Sequence, residues 1–347
     1  MTSMQAVTMT GFGALDRVET REVPRPNLNH PNDVRIRVQA AALNRIDLFV
    51  VRGLPRAEYT FPHVLGADAT GVVESTGAGV STVREGDRVV VNPGVSCGTC
   101  DQCRADEGPL CRSYRILGEH LEGTMAEYVV VPEANVRPIG PRLTTAQAAA
   151  LPLATLTAWR MLMTRARVQP GETVLIWGIG GGVSLAALQI AKLTGARVIA
   201  TSSSAQKREA ALRLGADIVL DHTTDDVARR VREETKTGAD VVVDSVGEST
   251  WAHSLKALRP MGRLVTCGAT TGPMVSLDIR KLFWFQWSLL GSTMGNHREF
   301  REVVRLAERG HLHPPVDRVY PLADARMAFE RLAAGDQFGK LVIEVRS

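Results

Sequence analysis

Short alternating runs of hydrophobic and polar residues occupy the first third of the chain. At residues 34–39, valine or isoleucine at each even position alternates with arginine or glutamine at each odd position, and residues 71–74 and 88–91 are further short runs rich in valine. Alternation with a period of two is typical of half-buried β-strands. The pattern predicts a mostly β unit with irregular loops.

The pattern changes near Leu151, where strand-like and helix-like segments begin to alternate. The strand-like segments are residues 174–177, 198–202, 218–220, 240–244, 263–266 and 289–291. The helix-like segments are residues 183–193, 205–214, 225–234 and 248–258. This alternation predicts parallel strands joined by right-handed crossovers, in a doubly wound α/β sheet.

A third pattern begins after about His297. It contains helix-like segments at residues 299–309 and 323–333, a loop with Pro314 and Pro315, and a final strand-like run at residues 340–345. No linker-like run of serine, proline or like charges precedes it, and the chain shows no internal repeat. We expect this tail to pack on the first, β-rich unit.

Composition and charge exclude several kinds of partner. Of the 347 residues, 44% are hydrophobic and 22% charged, and 41 Lys and Arg against 37 Asp and Glu leave a formal net charge of +4. This balance is too slight for an electrostatic nucleic-acid surface. The longest uncharged stretch, residues 173–191, contains four glycines, which favours a strand, turn and helix over a membrane span. With no secretory signal pattern at the N-terminus, we expect a cytoplasmic protein that binds neither nucleic acid nor membranes.

Four of the five cysteines lie close together. Cys97, Cys100, Cys103 and Cys111 follow the spacing C-x2-C-x2-C-x7-C, whereas Cys267 stands alone. In an intracellular chain such a cluster is more typical of a metal site than of disulfides. Four sulfur ligands leave zinc no open position for a substrate. The spacing predicts one structural Zn²⁺ per chain, in a lobe at about residues 94–113; buried free thiols or an iron–sulfur cluster are the alternatives.

A glycine-rich turn follows the first strand-like segment of the α/β region. Glycines at 178 and 180–182 separate the apolar run 173–177 from a helix-like segment. Glycine lets the backbone approach a pyrophosphate, and the helix dipole favours its negative charge. The match to G-x-G-x-x-G is imperfect because Val183 stands where the third glycine is expected. A merely structural turn is the alternative, but the location at the start of the first βαβ unit favours dinucleotide binding.

The next strand-like segment ends in small hydroxyl residues rather than an acid. Residues 201–204 are Thr-Ser-Ser-Ser, where an NAD-selective site usually offers Asp or Glu to the ribose hydroxyls. This leaves room for a 2′-phosphate that Lys207 and Arg208 could neutralise, unless both are simply solvated at a helix start. We predict that NADPH is preferred over NADH.

With these motifs in place, the sequence resembles the medium-chain dehydrogenase/reductase superfamily, which holds zinc alcohol dehydrogenases and quinone oxidoreductases. Besides the cysteine lobe, the resemblance rests on Ala-Ala-Leu-Asn-Arg-Ile-Asp at 41–47, Pro-His-Val-Leu-Gly-Ala-Asp at 62–68, Gly-Val-Val at 71–73, Gly-Asp-Arg-Val at 86–89, Ala-Glu-Tyr at 126–128, Leu-Thr-Ala-Trp at 156–159, Asp-Ser-Val-Gly at 244–247 and Gly-Lys at 339–340. The resemblance implies a GroES-like, β-rich catalytic domain at residues 1–154 and 299–347. It implies a Rossmann domain, with its doubly wound parallel sheet, at residues 155–298.

One departure from the family pattern bears on mechanism. Zinc alcohol dehydrogenases of this superfamily hold a second, catalytic zinc on a Cys, a His and another Cys. The corresponding residues here are Asn44, Ala67 and Leu153, while Asp47 and Asp68 keep the acidic positions. Alanine and leucine cannot ligate zinc, and asparagine is a poor ligand for it. The sequence therefore predicts that the catalytic zinc is lost.

The resemblance then implies a reaction that needs no Lewis acid. Oxidation of simple alcohols loses its electrostatic assistance without the metal. Zinc-free members of the superfamily reduce quinones or α,β-unsaturated carbonyls with NADPH, and the protein positions the partners and stabilises the resulting enolate or phenolate. We expect an NADPH-dependent oxidoreductase of this kind, acting on a small carbonyl or quinone substrate.

Two other functions stay open at this point. One is a zinc-type alcohol or aldehyde dehydrogenase with an altered metal site, for example one built from His63 or His120 together with Asp68. The other is a catalytically silent NADPH-binding sensor or partner protein.

The resemblance also assigns site residues. Asn44 would donate a hydrogen bond to the substrate oxygen, Asp47 would orient the site, and Thr157 would lie near the nicotinamide; a turn cap for Asn44 and a helix cap for Asp47 are the structural alternatives. The cofactor contacts carried over by position are Gly180, Gly181, Gly182 and Val183 at the pyrophosphate, Ser202 and Lys207 at the adenosine ribose, Ser245, Val246, Gly268 and Ala269 after the following strands, and Ser292 and Thr293 beside the nicotinamide.

An apolar, aromatic stretch precedes the last strand-like segment of the α/β region. Residues 282–287 read Leu-Phe-Trp-Phe-Gln-Trp. The stretch suits pairing of two subunits through the edge of the sheet, and core packing explains the same residues. We expect a homodimer.

Overall fold

The computed structural model describes residues 2–54 and 59–345. The chain divides into two units, one formed by Met1–Leu156 with Gly295–Ser347 and the other by Thr157–Met294. Each unit has its own sheets and its own hydrophobic clusters.

Strands outnumber helices in the part of the chain that the structure describes. The strands are β1 (Ser3–Met9), β2 (Val18–Pro24), β3 (Asp33–Ala42), β4 (His63–Val64), β5 (Asp68–Thr76), β6 (Arg88–Val91), β7 (Gly94–Val95), β8 (Arg115–Ile116), β9 (Tyr128–Pro132), β10 (Val136–Pro138), β11 (Thr173–Ile176), β12 (Arg197–Thr201), β13 (Ile218–Leu220), β14 (Ala239–Val243), β15 (Leu258–Thr266), β16 (Ser288–Gly291), β17 (Val316–Pro321) and β18 (Lys340–Glu344). The α-helices are α1 (Arg45–Arg52), α2 (Asp101–Arg104), α3 (Thr145–Ala150), α4 (Pro152–Trp159), α5 (Gly182–Leu193), α6 (Ala205–Arg213), α7 (Val227–Thr235), α8 (Glu248–Ala257), α9 (Ile279–Trp284), α10 (His297–Glu308) and α11 (Ala325–Ala334). A π-helical segment, Arg160–Arg165, continues α4.

The first unit is β-rich. Its largest sheet has the strand order β10-β6-β5-β3-β18-β17, with β9 also paired to β3. A three-stranded sheet has the order β2-β1-β4, and β7 pairs with β8 in the cysteine lobe. Since β18 pairs antiparallel with β3, with Val342 opposite Ala42, the tail of the chain extends the sheet of the first unit.

The predicted alternation at residues 34–39 is confirmed in β3. Val34, Ile36 and Val38 are buried, and the residues between them are half-buried. These three side chains pack in a cluster with valines such as Val89 and Val91 of β6. A single buried face therefore sets the register of this strand.

The second unit is an α/β sheet of six parallel strands in the order β13-β12-β11-β14-β15-β16. The prediction of a doubly wound parallel sheet is confirmed, and the order is that of a Rossmann fold, with its reversal between β11 and β14. The carboxyl ends of all six strands lie at one edge of the sheet. No helix in the described residues is both long and apolar enough to cross a membrane.

Candidate functional site

Two candidate catalytic residues lie at the start of α1. Asn44 precedes the helix in extended backbone, and Asp47 lies in the first turn. The backbone N–H of Asn44 donates to Oδ2 of Asp47 at 2.6 Å, so the carboxylate caps the helix. Asn44 is 7% exposed and Asp47 is 1% exposed. The hydrogen bond expected of Asp47 as a helix cap is therefore present within the first unit.

Asp68, the first residue of β5, joins the groups around Asn44. Its Oδ2 accepts hydrogen bonds from Nδ2 of Asn44 at 2.8 Å and from Nζ of Lys340 at 2.9 Å. Its Oδ1 accepts from the backbone N–H of Leu153 at 2.7 Å. Nζ of Lys340 also donates to Oδ1 of Asn44. We call Asn44, Asp68 and Lys340 the buried triad, because all three are almost fully enclosed.

Asp47 lies next to the buried triad and shares its electrostatic environment. Burial raises the pKa of Asp47 to about 7; the Asn44 N–H and the charge of Lys340 act against this rise, and the charge of Asp68 adds to it. A buried carboxyl close to half ionisation at neutral pH is a common feature of functional sites.

The four clustered cysteines come together in the first unit. Their Sγ atoms all lie within 4.8 Å of one another, with Cys100 and Cys103 at 3.5 Å and Cys97 and Cys103 at 3.9 Å. Tetrahedral zinc with Zn–S bonds of about 2.3 Å requires S···S distances of about 3.8 Å. The donor set therefore fits one Zn²⁺ held by Cys97, Cys100, Cys103 and Cys111.

The thiols of this cluster differ in acidity. Hydrogen bonds, first from the backbone N–H of Thr99 and then from that of Cys100, lower the pKa of Cys97 to about 5. Burial raises the pKa of Cys103 to about 11. Zinc ligation at neutral pH therefore releases a proton from Cys103, and metal affinity falls as the pH is lowered.

The glycine-rich turn lies between β11 and α5 in the second unit. Gly178 and Gly180 have φ values of 65° and 138°, which favour glycine over other residues. Gly181 precedes α5 without a capping side chain, and Gly182 and Val183 form the first turn. Backbone N–H groups at such a helix start suit the pyrophosphate of a dinucleotide.

The other predicted cofactor residues follow the carboxyl ends of neighbouring strands. They are Ser202 and Lys207 after β12, Ser245 and Val246 after β14, Gly268 and Ala269 after β15, and Ser292 and Thr293 after β16. Backbone hydrogen bonds link these loops to the adjacent strands, for example from the Ser292 N–H to the Thr266 carbonyl at 2.9 Å. The structure therefore brings these residues to one edge of the sheet, beside the glycine-rich turn.

The two cations considered for a 2′-phosphate have different surroundings. Nη1 of Arg208 donates to Oδ2 of Asp221 at 2.7 Å and to the carbonyls of Ser202 and Ser203, both at 2.9 Å. Arg208 is thus held by the protein itself. Lys207 lies in the first turn of α6, where its backbone N–H donates to Oγ of Ser204 at 3.3 Å.

Asp244 is a buried organiser of the loop after β14. It is 1% exposed, and its Oδ1 accepts from the N–H groups of Val246 at 2.9 Å and Gly247 at 3.1 Å. The hydroxyls of Thr250 and Ser254 donate to its Oδ2 at 2.8 and 2.6 Å. Sequence reasoning assigned Asp244 no role of its own, although it begins the segment Asp-Ser-Val-Gly.

Thr157 is the third candidate catalytic residue. It is 5% exposed in α4 and belongs to the second unit, whereas Asn44 and Asp47 belong to the first.

Known proteins similar to this chain agree with the geometry. Residues 30–141 match the alcohol dehydrogenase GroES-like domain, and residues 182–309 match the zinc-binding dehydrogenase family. The acryloyl-coenzyme A reductase of Metallosphaera sedula is 31% identical over 98% of this chain and 99% of its own length. The crystal structure of an NAD-dependent alcohol dehydrogenase has a TM-score of 0.95 and 44% identity, over 99% of this chain and 100% of that one.

A further similar structure contains bound ligands. The 2-octenoyl-CoA carboxylase reductase CinF, in complex with NADP and 2-octenoyl-CoA, has a TM-score of 0.92 and 31% identity, over 99% of this chain and 88% of that one. The chain belongs to the medium-chain dehydrogenase/reductase superfamily. It is an NAD(P)-dependent oxidoreductase with a GroES-like domain, a Rossmann domain and a structural four-cysteine zinc site.

The catalytic zinc of other superfamily members does not fit this site. Of the three ligand positions, Ala67 and Leu153 have no donor atom in their side chains. At the remaining position, Oδ1 of Asn44 accepts from the ammonium of Lys340, which a metal ion would have to displace. The chemistry of the donor set therefore excludes a zinc ion held as in the zinc alcohol dehydrogenases.

The histidines considered for an altered metal site have other neighbours. Nε2 of His63 lies 3.1 Å from the carbonyl of Gly118, and Nδ1 of His120 accepts from the Ile116 N–H at 3.2 Å. Within residues 2–54 and 59–345, the four cysteines are the only group of three or more His, Cys, Asp or Glu with ligand atoms close enough to hold a metal.

Proposed function

We propose that this protein uses NADPH to reduce a C=C bond conjugated to a carbonyl group, or a quinone, without a catalytic metal. The observation that carries the proposal is the buried triad, which stands where other superfamily members bind a catalytic zinc. A site with a fixed amide and no Lewis acid suits an acceptor whose carbon is already electrophilic.

The reaction adds one hydride and one proton across the conjugated C=C bond. NADPH, if held at the glycine-rich turn of residues 178–182, would supply the hydride to the β-carbon and would leave as NADP⁺. The electron pair of the C=C bond moves toward the carbonyl oxygen, and the α-carbon takes up one proton from water, which leaves a saturated carbonyl compound. The protein has to orient the acceptor and stabilise the negative charge on its oxygen.

Asn44 is the candidate donor to that oxygen. One proton of its Nδ2 is used by Asp68 at 2.8 Å, whereas the second has, among the described residues, only a long contact of 3.4 Å with the carbonyl of Ala42. Exchanging this weak contact for a bond to a developing oxyanion favours the transition state over the ground state.

The relatives support an unsaturated acyl substrate. Acryloyl-CoA and 2-octenoyl-CoA, which appear in the names of two similar proteins, are both thioesters with a conjugated C=C bond. An assay panel of enals, enones, enoyl thioesters, quinones and primary alcohols, each with NADPH and NADH, tests the proposal. We expect NADPH oxidation with at least one conjugated acceptor, and activity restricted to alcohol oxidation would refute the proposal.

An alcohol dehydrogenase is the second candidate, because a protein of that name is 44% identical to this chain. It would require a metal bound in a way different from the zinc alcohol dehydrogenases. Loss of alcohol oxidation on chelation, with the structural zinc retained, would favour this candidate.

The preference for NADPH rests on the end of β12. Residues 202–204 are serines with no acidic residue among them, and Ser202 is 5% exposed. Lys207 follows in the first turn of α6. Residues 201–204 therefore offer a 2′-phosphate hydroxyl groups rather than an acidic side chain of their own, and Lys207 and Arg208 follow them in the sequence.

We also propose that two copies pair through β16. This strand lies at the edge of the six-stranded sheet, and the preceding α9 exposes Phe283 and Trp284 at 64% and 76%. An edge strand beside exposed apolar side chains favours pairing with a second copy. Light scattering is expected to give the mass of a dimer for the wild type and of a monomer for Trp284→Lys. A monomeric wild type would refute this proposal.

Reduced thiolates are required by the zinc site, and this supports a cytoplasmic location. Localisation of a tagged protein in its own host tests this part of the proposal.

A further inference from the structure

Lys340 had no individual role in the sequence pattern, yet the fold brings it to the candidate catalytic residue. Val342 of β18 lies opposite Ala42 of β3 in an antiparallel pair. Continuing this register by two residues on each strand places Lys340 level with Asn44. The lysine is 4% exposed, and burial of its side chain requires a partner for the charge.

The three positions that hold zinc in other superfamily members converge here on one carboxylate. Asn44 donates to Asp68 through Nδ2, Leu153 donates through its backbone N–H, and Ala67 directly precedes Asp68. In a zinc site a cation is surrounded by electron-pair donors. In this chain an anion is surrounded by N–H donors, and Lys340 balances its charge at 2.9 Å.

This arrangement fixes the orientation of the Asn44 amide. Oδ1 accepts from the ammonium of Lys340, and Nδ2 donates to the carboxylate of Asp68. A flipped amide would place N–H groups against the ammonium and the carbonyl oxygen against the carboxylate, which is repulsive at both ends. Polarisation by the two charges also strengthens the amide as a donor.

We propose that Lys340 is a positioning residue for the reduction, which acts through Asn44 by fixing and polarising its amide. This proposal rests on the proposed function, since it assigns the oriented Nδ2 to the substrate oxygen. Lys340 with Asp68 would then replace the ordering effect that a catalytic metal has in other members of the superfamily.

The test needs a variant that removes the charges without leaving one buried and unpaired. Lys340→Met alone leaves the Asp68 charge uncompensated and is expected to destabilise the fold. The double variant Lys340→Met/Asp68→Asn removes both charges with side chains of similar size. Lys340→Arg keeps a charged donor, and Lys192→Met is the matched control, because Lys192 pairs with Asp217 at the surface of the second unit.

For each variant, kcat and KM are measured on the best acceptor of the panel, with the NADPH Kd, the zinc content and the melting temperature as checks. One oriented donor to an oxyanion is worth roughly 100-fold or more in kcat. We expect the double variant to lose about that factor in kcat, with acceptor KM and NADPH Kd within about threefold. Lys340→Arg should keep at least a tenth of the wild-type kcat, and Lys192→Met should match the wild type.

The outcomes separate the two proposals. A wild type that reduces none of the acceptors refutes the proposed function and this inference with it. An active wild type with a double variant of unchanged kcat overturns the inference alone. A double variant whose loss is confined to KM or to NADPH affinity also overturns it. If the double variant does not fold, Lys340→Met decides, measured at a temperature at which it is folded: an unchanged kcat overturns the positioning role.

Discussion

Asp47→Asn tests the electrostatics of the site directly. The Asp47 carboxylate is buried, and its Oδ2 accepts from the Asn44 N–H at 2.6 Å. The amide oxygen of an asparagine can accept the same hydrogen bond, so the substitution keeps the helix cap and removes only the ionisable group.

The sign and size of the effect follow from the raised pKa. In the folded protein the pKa of Asp47 is about 7, whereas in the unfolded chain it is near the ordinary pKa of 3.8. Between these pH values the folded state binds more protons, so the free energy of unfolding falls as the pH rises. The gap corresponds to a destabilisation of about 4 kcal/mol above pH 7 and almost none below pH 4.

The variant should therefore gain stability relative to the wild type as the pH rises. We expect the unfolding free energy of Asp47→Asn to exceed that of the wild type by about 1 kcal/mol at pH 4.5 and by about 4 kcal/mol at pH 8. Urea titrations followed by tyrosine absorbance report on the first unit, which contains all four tyrosines. Asp16→Asn, at an exposed position of the same unit, is the control. A difference between variant and wild type that stays constant from pH 4.5 to 8 would refute the reasoning.

Three further predictions concern the cofactor, the structural metal and the core. Lys207→Ala should raise the KM for NADPH by about tenfold and leave that for NADH unchanged, since one phosphate ion pair is lost; equal changes for both cofactors in steady-state assays would contradict this. Cys111→Ser should abolish zinc binding and lower the melting temperature, while Cys267→Ser should change neither; zinc analysis with differential scanning calorimetry checks both. Phe300→Ala, at a fully buried position of α10, should cost about 3–5 kcal/mol of unfolding free energy in urea titrations; a cost below about 1 kcal/mol would show that the core is not packed as described.

The alternating α/β pattern was predictable because the hydrophobic pattern of each helix and strand lies within that segment itself. The predicted segments 174–177 and 183–193 correspond to β11 and α5, and the glycines between them form the turn. The crossover rule fixes only the right-handed connections of this sheet, whereas the strand order 3-2-1-4-5-6 comes from the structure. Boundaries differ by a few residues where capping decides them: α7 begins at Val227 because Asp226 accepts from the Arg229 N–H.

Elements that depend on distant partners were not predicted. The strands β1 and β9 have no tight turn to an adjacent strand that would mark them; β9 pairs with β3, about a hundred residues earlier in the chain. The alanine-rich α3 lacks a clear polar face, because three of its alanines are buried. For such segments tertiary pairing, rather than local pattern, decides the structure.

The candidate site likewise combines features that a local sequence pattern reveals with features that depend on distant partners. The cysteine spacing alone indicated a metal site, because its ligands lie in one short lobe. The role of Lys340 depends on the antiparallel pairing of β18 with β3, which no local pattern around residue 340 reveals. The commitment of Arg208 to Asp221 likewise emerges only when β13 lies beside β12.

The most direct test of a reduction without a catalytic metal is the zinc content of the most active preparation, measured by native mass spectrometry. The account predicts one zinc per chain, absent from Cys111→Ser, in a protein that reduces a conjugated acceptor with NADPH. Two zinc ions per chain, with activity lost when the second is removed by a chelator, would contradict it.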